Sequence, residues 1–160
     1  MHKGLATLEI IFAMLIIAIL ATCAVPNAAR ILDRATLDYE TKKFYTDMRA
    51  VQSFDRVALM REPIIGEQPK NSQLEIVPSI SDNSYRVKTV SSSAYGATHK
   101  FSSGISVDKD FNIVFDDMGK VTPAKTETMR IRSQFGIVYF IITTVGRFRG
   151  SHTPPGSDDE

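Results

Sequence analysis

The N-terminal part of the chain is an almost unbroken run of apolar residues. Between Leu5 and Val25 the only charged side chain is that of Glu9. An α-helix rises about 1.5 Å per residue, so these residues in helical form would cross the ~30 Å hydrocarbon core of a bilayer. The pattern predicts a transmembrane helix over residues 5–25.

After Pro26 the pattern becomes amphipathic, and no further Gly or Pro occurs up to residue 60. Proline has no N–H to donate and its ring clashes with the preceding turn, so we expect a kink or local melting of the helix at Pro26. We predict that the helix continues over residues 26–60 and packs against the rest of the chain through an apolar stripe at helical spacing. The stripe consists of Leu37, Phe44, Met48, Val51, Phe54 and Ala58.

The pattern changes again beyond residue 60, where the turn-forming residues Pro63, Gly66, Pro69 and Asn71 accumulate. Alternation of apolar and polar residues then predicts antiparallel strands at Leu74 to Val77, Tyr85 to Val90, Phe101 to Val107, Asn112 to Phe115, Thr128 to Arg132 and Phe135 to Thr144. The polar stretch from Ser91 to Gly104 is typical of an exposed loop. The predicted fold class is α+β, with one long N-terminal helix packed on a β domain over residues 61–150 and a flexible tail over 151–160.

Composition narrows the possible functions. The 160 residues carry a formal charge of +1, which does not indicate a strongly basic nucleic-acid protein. Cys23 is the single cysteine, so an intramolecular disulfide is excluded. The three histidines are far apart and form no closely spaced ligand cluster, so we expect no metal site and no cofactor. Neither a G-x-S-x-G motif nor a P-loop occurs, and we expect no enzymatic activity.

Glu9 needs an explanation, because an ionised side chain inside a membrane costs roughly 2.5–3.5 kcal/mol at mid-depth and such residues usually have a partner or a task. Three other interpretations of this segment stay open. A secretory signal peptide has a shorter apolar core and no internal Glu. The sequence LATC, ending at Cys23, superficially resembles a lipoprotein signal. In a plain membrane anchor Glu9 would be incidental.

The stretch KGLATLEIIFAMLIIAILA resembles the N-termini of type IV prepilins and type II secretion pseudopilins. These proteins have a short basic leader that ends in Gly, then an apolar residue, and a Glu at the fifth position of the mature chain. Residues 1–4 would be the leader, Leu5 the new N-terminus, Glu9 the fifth mature residue and Pro26 the twenty-second. The family most often has Phe at the position of Leu5, and Leu is chemically close.

This resemblance implies a processing and assembly route. Prepilin peptidase would cleave between Gly4 and Leu5, and the new amino group of Leu5 would be N-methylated. The carboxylate of Glu9 would neutralise the corresponding amine of a neighbouring subunit in the fibre. The implied partners are the prepilin peptidase, the inner-membrane assembly platform, membrane lipid and the other pilins or pseudopilins.

The resemblance also implies a single-pass protein of the bacterial inner membrane whose C-terminal domain lies in the periplasm until fibre assembly. The distribution of basic residues favours the opposite orientation. Lys3 alone precedes the span, whereas Arg30, Arg34, Lys42 and Lys43 follow it. We adopt the family orientation, because Asp and Glu residues are interspersed with those basic residues.

Two C-terminal stretches, FDDMGKV at 115–121 and VYFIITTVGRFR at 138–149, are similar to the end of the GspH/FimT family of minor pseudopilins and minor pilins. The family has an F-D-x-x-G turn before a last strand that closes in G-R-x-R. The resemblance implies a pilin-like fold and a structural subunit of a type II secretion pseudopilus or a type IV pilus.

The Gly146–Arg149 motif gives an alternative function, because in DNA-uptake minor pilins of the FimT kind it contributes to DNA binding. In a strand Arg147 and Arg149 would share one face, with Phe148 on the other. Guanidinium groups suit phosphate oxygens, so a DNA-binding minor pilin for natural transformation is the alternative function. The other interpretation is an ordinary solvated surface. Residues that could extend the patch are Lys120, Lys125, Arg130 and Arg132.

Overall fold

The computed structural model describes residues 3–60, 73–90, 98–110, 112–116, 118–122 and 125–156. Its first element is a single helix, α1 (Lys3–Met60), of 58 residues. The helix passes through Pro26 without interruption, so local melting is not found there, and a kink stays a prediction. The predicted α+β fold, a long N-terminal helix packed on antiparallel sheets, is confirmed.

The described part of the chain that follows the helix forms short antiparallel strands. They are β1 (Leu74–Ser79), β2 (Ser84–Thr89), β3 (Thr98–Lys100), β4 (Ser106–Val107), β5 (Ile113–Phe115), β6 (Val121–Thr122), β7 (Glu127–Arg132), β8 (Ile137–Ile142) and β9 (Phe148–Ser151). The first sheet has the strand order β3-β2-β1-β5-β6, and the second has the order β4-β7-β8-β9. The helix contacts strands of both sheets.

Two strand predictions are wrong in part. Residues 102–105 form a turn, in which Ile105 N donates to Ser102 O at 3.0 Å and Gly104 has a φ of +87°. Only the last two residues of that predicted strand, in β4, belong to a strand. The strand predicted from Phe135 begins instead at Ile137, because Ser133 N donates to Gly136 O at 2.8 Å and closes a turn.

Three of the short strands, β3, β6 and β9, were not predicted. The expected loop from Ser91 to Gly104 is wrong at β3, which pairs with β2, while residues 91–97 lie outside the described residues. Strand β6 spans two residues, too few to show an alternating pattern, and the four residues of β9 contain no apolar residue after Phe148. The turn-rich stretch that begins at Pro63 also lies outside the described residues.

The second half of α1 buries most of the predicted stripe: Leu37, Phe44, Met48 and Val51 are in the core. Phe54 is not, because 48% of its surface is exposed. The buried positions are spaced by seven, four and three residues, and the next position on that face is 55 rather than 54. Asp55 occupies it and is buried. The side chain of Ala58 lies outside the description.

Aromatic side chains join the helix to both sheets. The ring of Phe44 lies 4.9 Å, centroid to centroid, from Tyr85 of β2 and 4.9 Å from Phe140 of β8, in edge-to-face geometry. Phe140 lies 6.1 Å from Phe148 of β9 in a stacked arrangement. Such pairs add about 0.5–1.5 kcal/mol each beyond the area that they bury.

Two buried carboxylates on the same helix face bind the first sheet. Glu40 lies 2.7 Å from Nε2 of His99 and accepts hydrogen bonds from the hydroxyl and the backbone N–H of Ser102. Asp55 accepts a 2.7 Å hydrogen bond from the backbone N–H of Leu74, where β1 begins. Both oxygens of Glu40 are hydrogen-bonded, as a buried carboxylate requires, whereas the buried Oδ2 of Asp55 has no hydrogen-bond partner among the described residues.

The pKa values of the two carboxylates shift in opposite directions. Burial would raise the pKa of Glu40, but the hydrogen bonds from Ser102 and His99 outweigh burial and lower it. Burial raises the pKa of Asp55 from 3.8 to about 6, because the backbone N–H groups of Leu74 and Phe115 offset only part of the desolvation.

We expect Asp55→Asn to stabilise the protein at pH 7.5 but not at pH 4. The folded chain keeps the Asp55 proton that the unfolded chain releases between pH 3.8 and about 6. The stability that protonated Asp55 contributes is therefore present below that range and lost as the pH rises through it. Asparagine retains the oxygen that accepts from Leu74, and the gain at pH 7.5 should be about 1–3 kcal/mol.

The measurement is chemical unfolding of both full-length proteins in non-ionic detergent at four pH values between 4 and 7.5. A stability difference that stays constant over this range would contradict the assignment.

Candidate functional site

The N-terminal half of α1 presents an uncovered apolar surface. An 18-residue window of the helix has a mean hydropathy of 2.7 and is not buried at all, so by length and composition it could cross a membrane. The large apolar side chains of this half are more than half exposed from Leu8 to Val25. A contiguous apolar surface of this size needs lipid or protein to cover it.

Glu9 lies on this surface, and its side chain is exposed. Among the side chains that the structure describes, none forms an ion pair with it. The predicted cleavage point between Gly4 and Leu5 lies inside the first turns of α1. The structure therefore places the predicted assembly residue where another chain can reach it.

The G-R-x-R motif begins in the turn between β8 and β9. Thr143 N donates to Arg147 O at 2.8 Å, and Gly146 N donates to Thr143 O at 2.9 Å. Gly146 has a φ of +76°, a left-handed conformation that side chains disfavour. The glycine of the motif is therefore needed for the shape of this turn.

The F-D-x-x-G motif forms a second turn, between β5 and β6. Gly119 N donates to Asp116 O at 2.9 Å, and Lys120 N donates to the side-chain Oδ1 of Asp116 at 2.7 Å. Gly119 has a φ of +77°. The aspartate and the glycine of this motif therefore both shape the turn.

The two turns are in contact. A Cβ atom on Gly146 would overlap the carbonyl oxygen of Gly119 and would lie 2.9 Å from Nε2 of Gln52. Gln52, on α1, donates from Nε2 to Gly119 O at 2.7 Å and to Gly146 O at 2.9 Å. We call Gln52, Gly119 and Gly146 the turn clamp, because one amide group holds both motif turns against the helix.

Arg49 extends the turn clamp along the helix. Its Nη1 donates to Oε1 of Gln52 at 3.2 Å, and its guanidinium carbon lies 4.6 Å from the ring centroid of Phe148. Sequence reasoning missed both Gln52 and Arg49. A glutamine and an arginine on an amphipathic helix are ordinarily solvated, so the sequence held no signal for their contacts.

The residues of the motif alternate between the two faces of the last sheet. Phe148 is 6% exposed and belongs to the core, whereas Arg147 and Arg149 are exposed. The cross-strand register places Arg149 opposite Ile141 of β8, and Ile141 opposite Thr128 of β7. This defines the outer face of the second sheet.

Arg130 and Arg132 lie on the same outer face, two residues apart on β7. Arg130 binds Asp108 through both its backbone N–H and its guanidinium group, so its charge is largely neutralised. Lys125 pairs with Glu127 at 2.7 Å. The exposed cations on this face therefore include Arg132 and Arg149, with Arg147 at the edge.

The comparisons with known proteins give a distant likeness. Two crystal structures of the type IV minor pilin FimU from Pseudomonas aeruginosa PAO1 match with TM-scores of 0.42 and 0.40 at 14% and 13% identity. They cover 66% and 70% of this chain, and 88% and 90% of the FimU chains. No protein-family model matches the chain, and no curated protein does. The fold assignment therefore rests on the helix and sheets described above.

We expect Gly146→Ala to destabilise the protein by about 2 kcal/mol or more, because it adds an overlap with Gly119 to the cost of a positive φ. Gly104→Ala is the matched control: its φ is also positive, at +87°, and a Cβ there has no heavy atom within 4 Å. The control should lose about 1–2 kcal/mol. Thermal or chemical unfolding of both variants measures the difference, and equal losses would contradict the close contact of the two turns.

Proposed function

We propose that this chain is a non-enzymatic subunit of a type IV pilin-like fibre, either a minor pilin or a pseudopilin. The observation that carries the proposal is the uncovered apolar half of α1 with the exposed carboxylate of Glu9. The same helix then continues without a break into the core of the β domain. A helix that is buried at one end and uncovered at the other is suited to association with lipid first and with other subunits afterwards.

The proposed route begins in the inner membrane, with the span at residues 5–25 and the β domain in the periplasm. Prepilin peptidase removes residues 1–4 at the Gly4–Leu5 bond, and the amine of Leu5 is methylated. In the fibre Glu9 pairs with the N-terminal amine of a neighbouring subunit. Because both charges are desolvated there, the pair fixes the register of the subunits more than it adds stability.

We expect Glu9→Ala to leave the protein in the membrane but to reduce its incorporation into fibres by roughly tenfold or more, because the neighbour's amine would be buried without a counter-charge. Asp38→Ala is a control that removes an exposed carboxylate from the same helix outside the span. Sheared-fibre and membrane fractions are compared by immunoblotting. Normal incorporation of Glu9→Ala would overturn the assembly role.

DNA binding during natural transformation is the second candidate function. It is favoured by the exposure of Arg147 and Arg149 at the end of the second sheet where β8 turns into β9. Arg132 shares the outer face but pairs with Ile137, at the opposite end of β8 from Ile141. Planar guanidinium groups can bind phosphate oxygens in a bidentate manner. Two or three such contacts would give weak, sequence-independent binding that falls with salt.

We expect the full chain in non-ionic detergent to bind duplex DNA at low salt if this second function is correct. A plot of the logarithm of the binding constant against the logarithm of salt concentration has a negative slope. The double variant Arg147→Gln/Arg149→Gln should make this slope less steep by about 2. Arg30→Gln/Arg34→Gln is a control with the same charge change at the other end of the domain. If the wild-type chain does not bind DNA at low salt, the structural role in a pilus or a secretion pseudopilus is favoured.

A further inference from the structure

We propose that Arg30, Arg34 and Phe135 form a binding site for anionic phospholipid headgroups. The site would hold the β domain against the bilayer surface while the subunit is in the membrane. This inference rests on the membrane-spanning role proposed above and adds a second, lipid-specific contact outside the span.

The helix sets the depth of the two arginines. Arg30 lies five residues beyond Val25, or about 7.5 Å along the helix axis, which is close to the thickness of one headgroup layer. Arg34 lies one turn further. Helical side chains tilt toward the N-terminus of the helix, which here is the direction of the bilayer, so both guanidinium groups can reach headgroup oxygens. Ile31 and Leu32 are 70% exposed at the same level.

Asp33 holds the β domain at this depth. Its Oδ2 accepts hydrogen bonds from Ser133 Oγ at 2.5 Å and from Phe135 N at 3.1 Å. The turn between β7 and β8 is thereby fixed to the helix between the two arginines. Gly136 adds a close contact, since a Cβ there would lie 2.9 Å from Cδ2 of Leu37.

Phe135 completes the site. The guanidinium carbon of Arg30 lies 5.6 Å from the centroid of its ring. The ring is 38% exposed. At this depth the exposed part of the ring can contact acyl chains, while the ring holds the guanidinium group of Arg30 by a cation–π contact.

A cleft of about 360 Å³ lies beside the turn and gives a headgroup room to enter. It is lined by Arg34, Leu37, Asp38, Phe135, Gly136 and His152. Asp38 is the acidic residue of this lining, and Asp33 is occupied by its hydrogen bonds to the turn. Arg34 lines the cleft, and Arg30 lies next to it over the ring of Phe135. Asp33 is ionised, but its Oδ2 is turned to Ser133 and Phe135 N, so the two guanidinium groups are available to a headgroup phosphate. An anionic headgroup presents that phosphate without a competing ammonium group of its own.

The absence of tryptophan from the sequence allows a direct test. Phe135→Trp creates a single fluorescent probe in the proposed site, and Val145→Trp creates a control probe in the turn that Gln52 holds, at the far end of the domain. Each full-length protein is reconstituted into phosphatidylcholine vesicles with or without phosphatidylglycerol. Lipids that carry a spin label on the headgroup quench any tryptophan near the membrane surface.

We expect strong quenching of the Phe135→Trp probe in vesicles with phosphatidylglycerol and weak quenching of the Val145→Trp probe. One arginine near an anionic membrane surface raises the binding constant for that surface about fivefold. Arg30→Gln/Arg34→Gln should therefore lower the ratio of β domains held at the bilayer surface to β domains away from it by roughly 20-fold. Arg147→Gln/Arg149→Gln in the Phe135→Trp chain is the matched control and should keep the quenching. Unfolding in detergent verifies that all variants are folded.

Flotation of the vesicles in urea separates this proposal from the proposed function. Protein that floats, but in which both probes are quenched equally, overturns the headgroup site and leaves the membrane-held subunit standing. Quenching that is the same with and without phosphatidylglycerol, or that survives Arg30→Gln/Arg34→Gln, also overturns the site. Protein that does not float overturns the membrane-spanning role and this inference together.

Discussion

The side-chain amide of Gln52 joins parts of the chain that are 67 and 94 residues away from it. Its two donated hydrogen bonds satisfy the carbonyl groups of Gly119 and Gly146, and these two glycines pack so closely that a Cβ on Gly146 would overlap Gly119 O. The strands that follow these turns, β6 and β9, inherit their positions from this contact. Val121 N donates to Thr144 O at 3.2 Å, which links the two sheets at the same point. The exposed arginines of the last strand therefore owe their placement to a residue on the helix.

Carboxylates attach the helix to the sheets along its length. Asp33 binds the turn before β8, Glu40 binds the residues around β3, and Asp55 binds the start of β1. The hydroxyl of Ser133 lowers the pKa of Asp33, and the hydrogen bonds of Glu40 lower its pKa despite burial. Their contributions to stability are present above the unfolded pKa values and are lost in acid, opposite in sign to that of Asp55. The helix is thus held by polar anchors whose pH responses partly cancel.

The features that could be predicted from the sequence are those in which a regular spacing of apolar residues repeats several times along the chain. The helix and its buried Leu37, Phe44 and Met48 follow from a regular spacing, and β7 follows from strict alternation. Phe54 was misplaced because hydrophobicity was weighed above helical phase, and Asp55 holds the buried position instead. Contacts that depend on one side chain and two distant turns, such as those of Gln52, leave no local pattern.

The candidate site was predictable to a similar extent. Alternation correctly placed Arg147 and Arg149 on the exposed side and Phe148 on the buried side. It could not show that Asp108 binds Arg130. Asp108 follows β4, the strand that pairs with β7. Its ion pair with Arg130 depends on the register of the two strands, which the pattern within one strand does not reveal. The role of these arginines stays a prediction.

The uninterrupted helix has a mechanical consequence. At about 1.5 Å per residue, 58 residues form a rod of about 87 Å. In the fibre proposed above, which would be built from the uncovered halves of such rods, a pull on the fibre would enter each subunit along the helix axis. The contacts of Asp33, Glu40, Gln52 and Asp55 are spread along that axis. They would therefore bear the load together, in shear, and would not break one after another. A domain attached in this way resists extension without needing a disulfide to reinforce it.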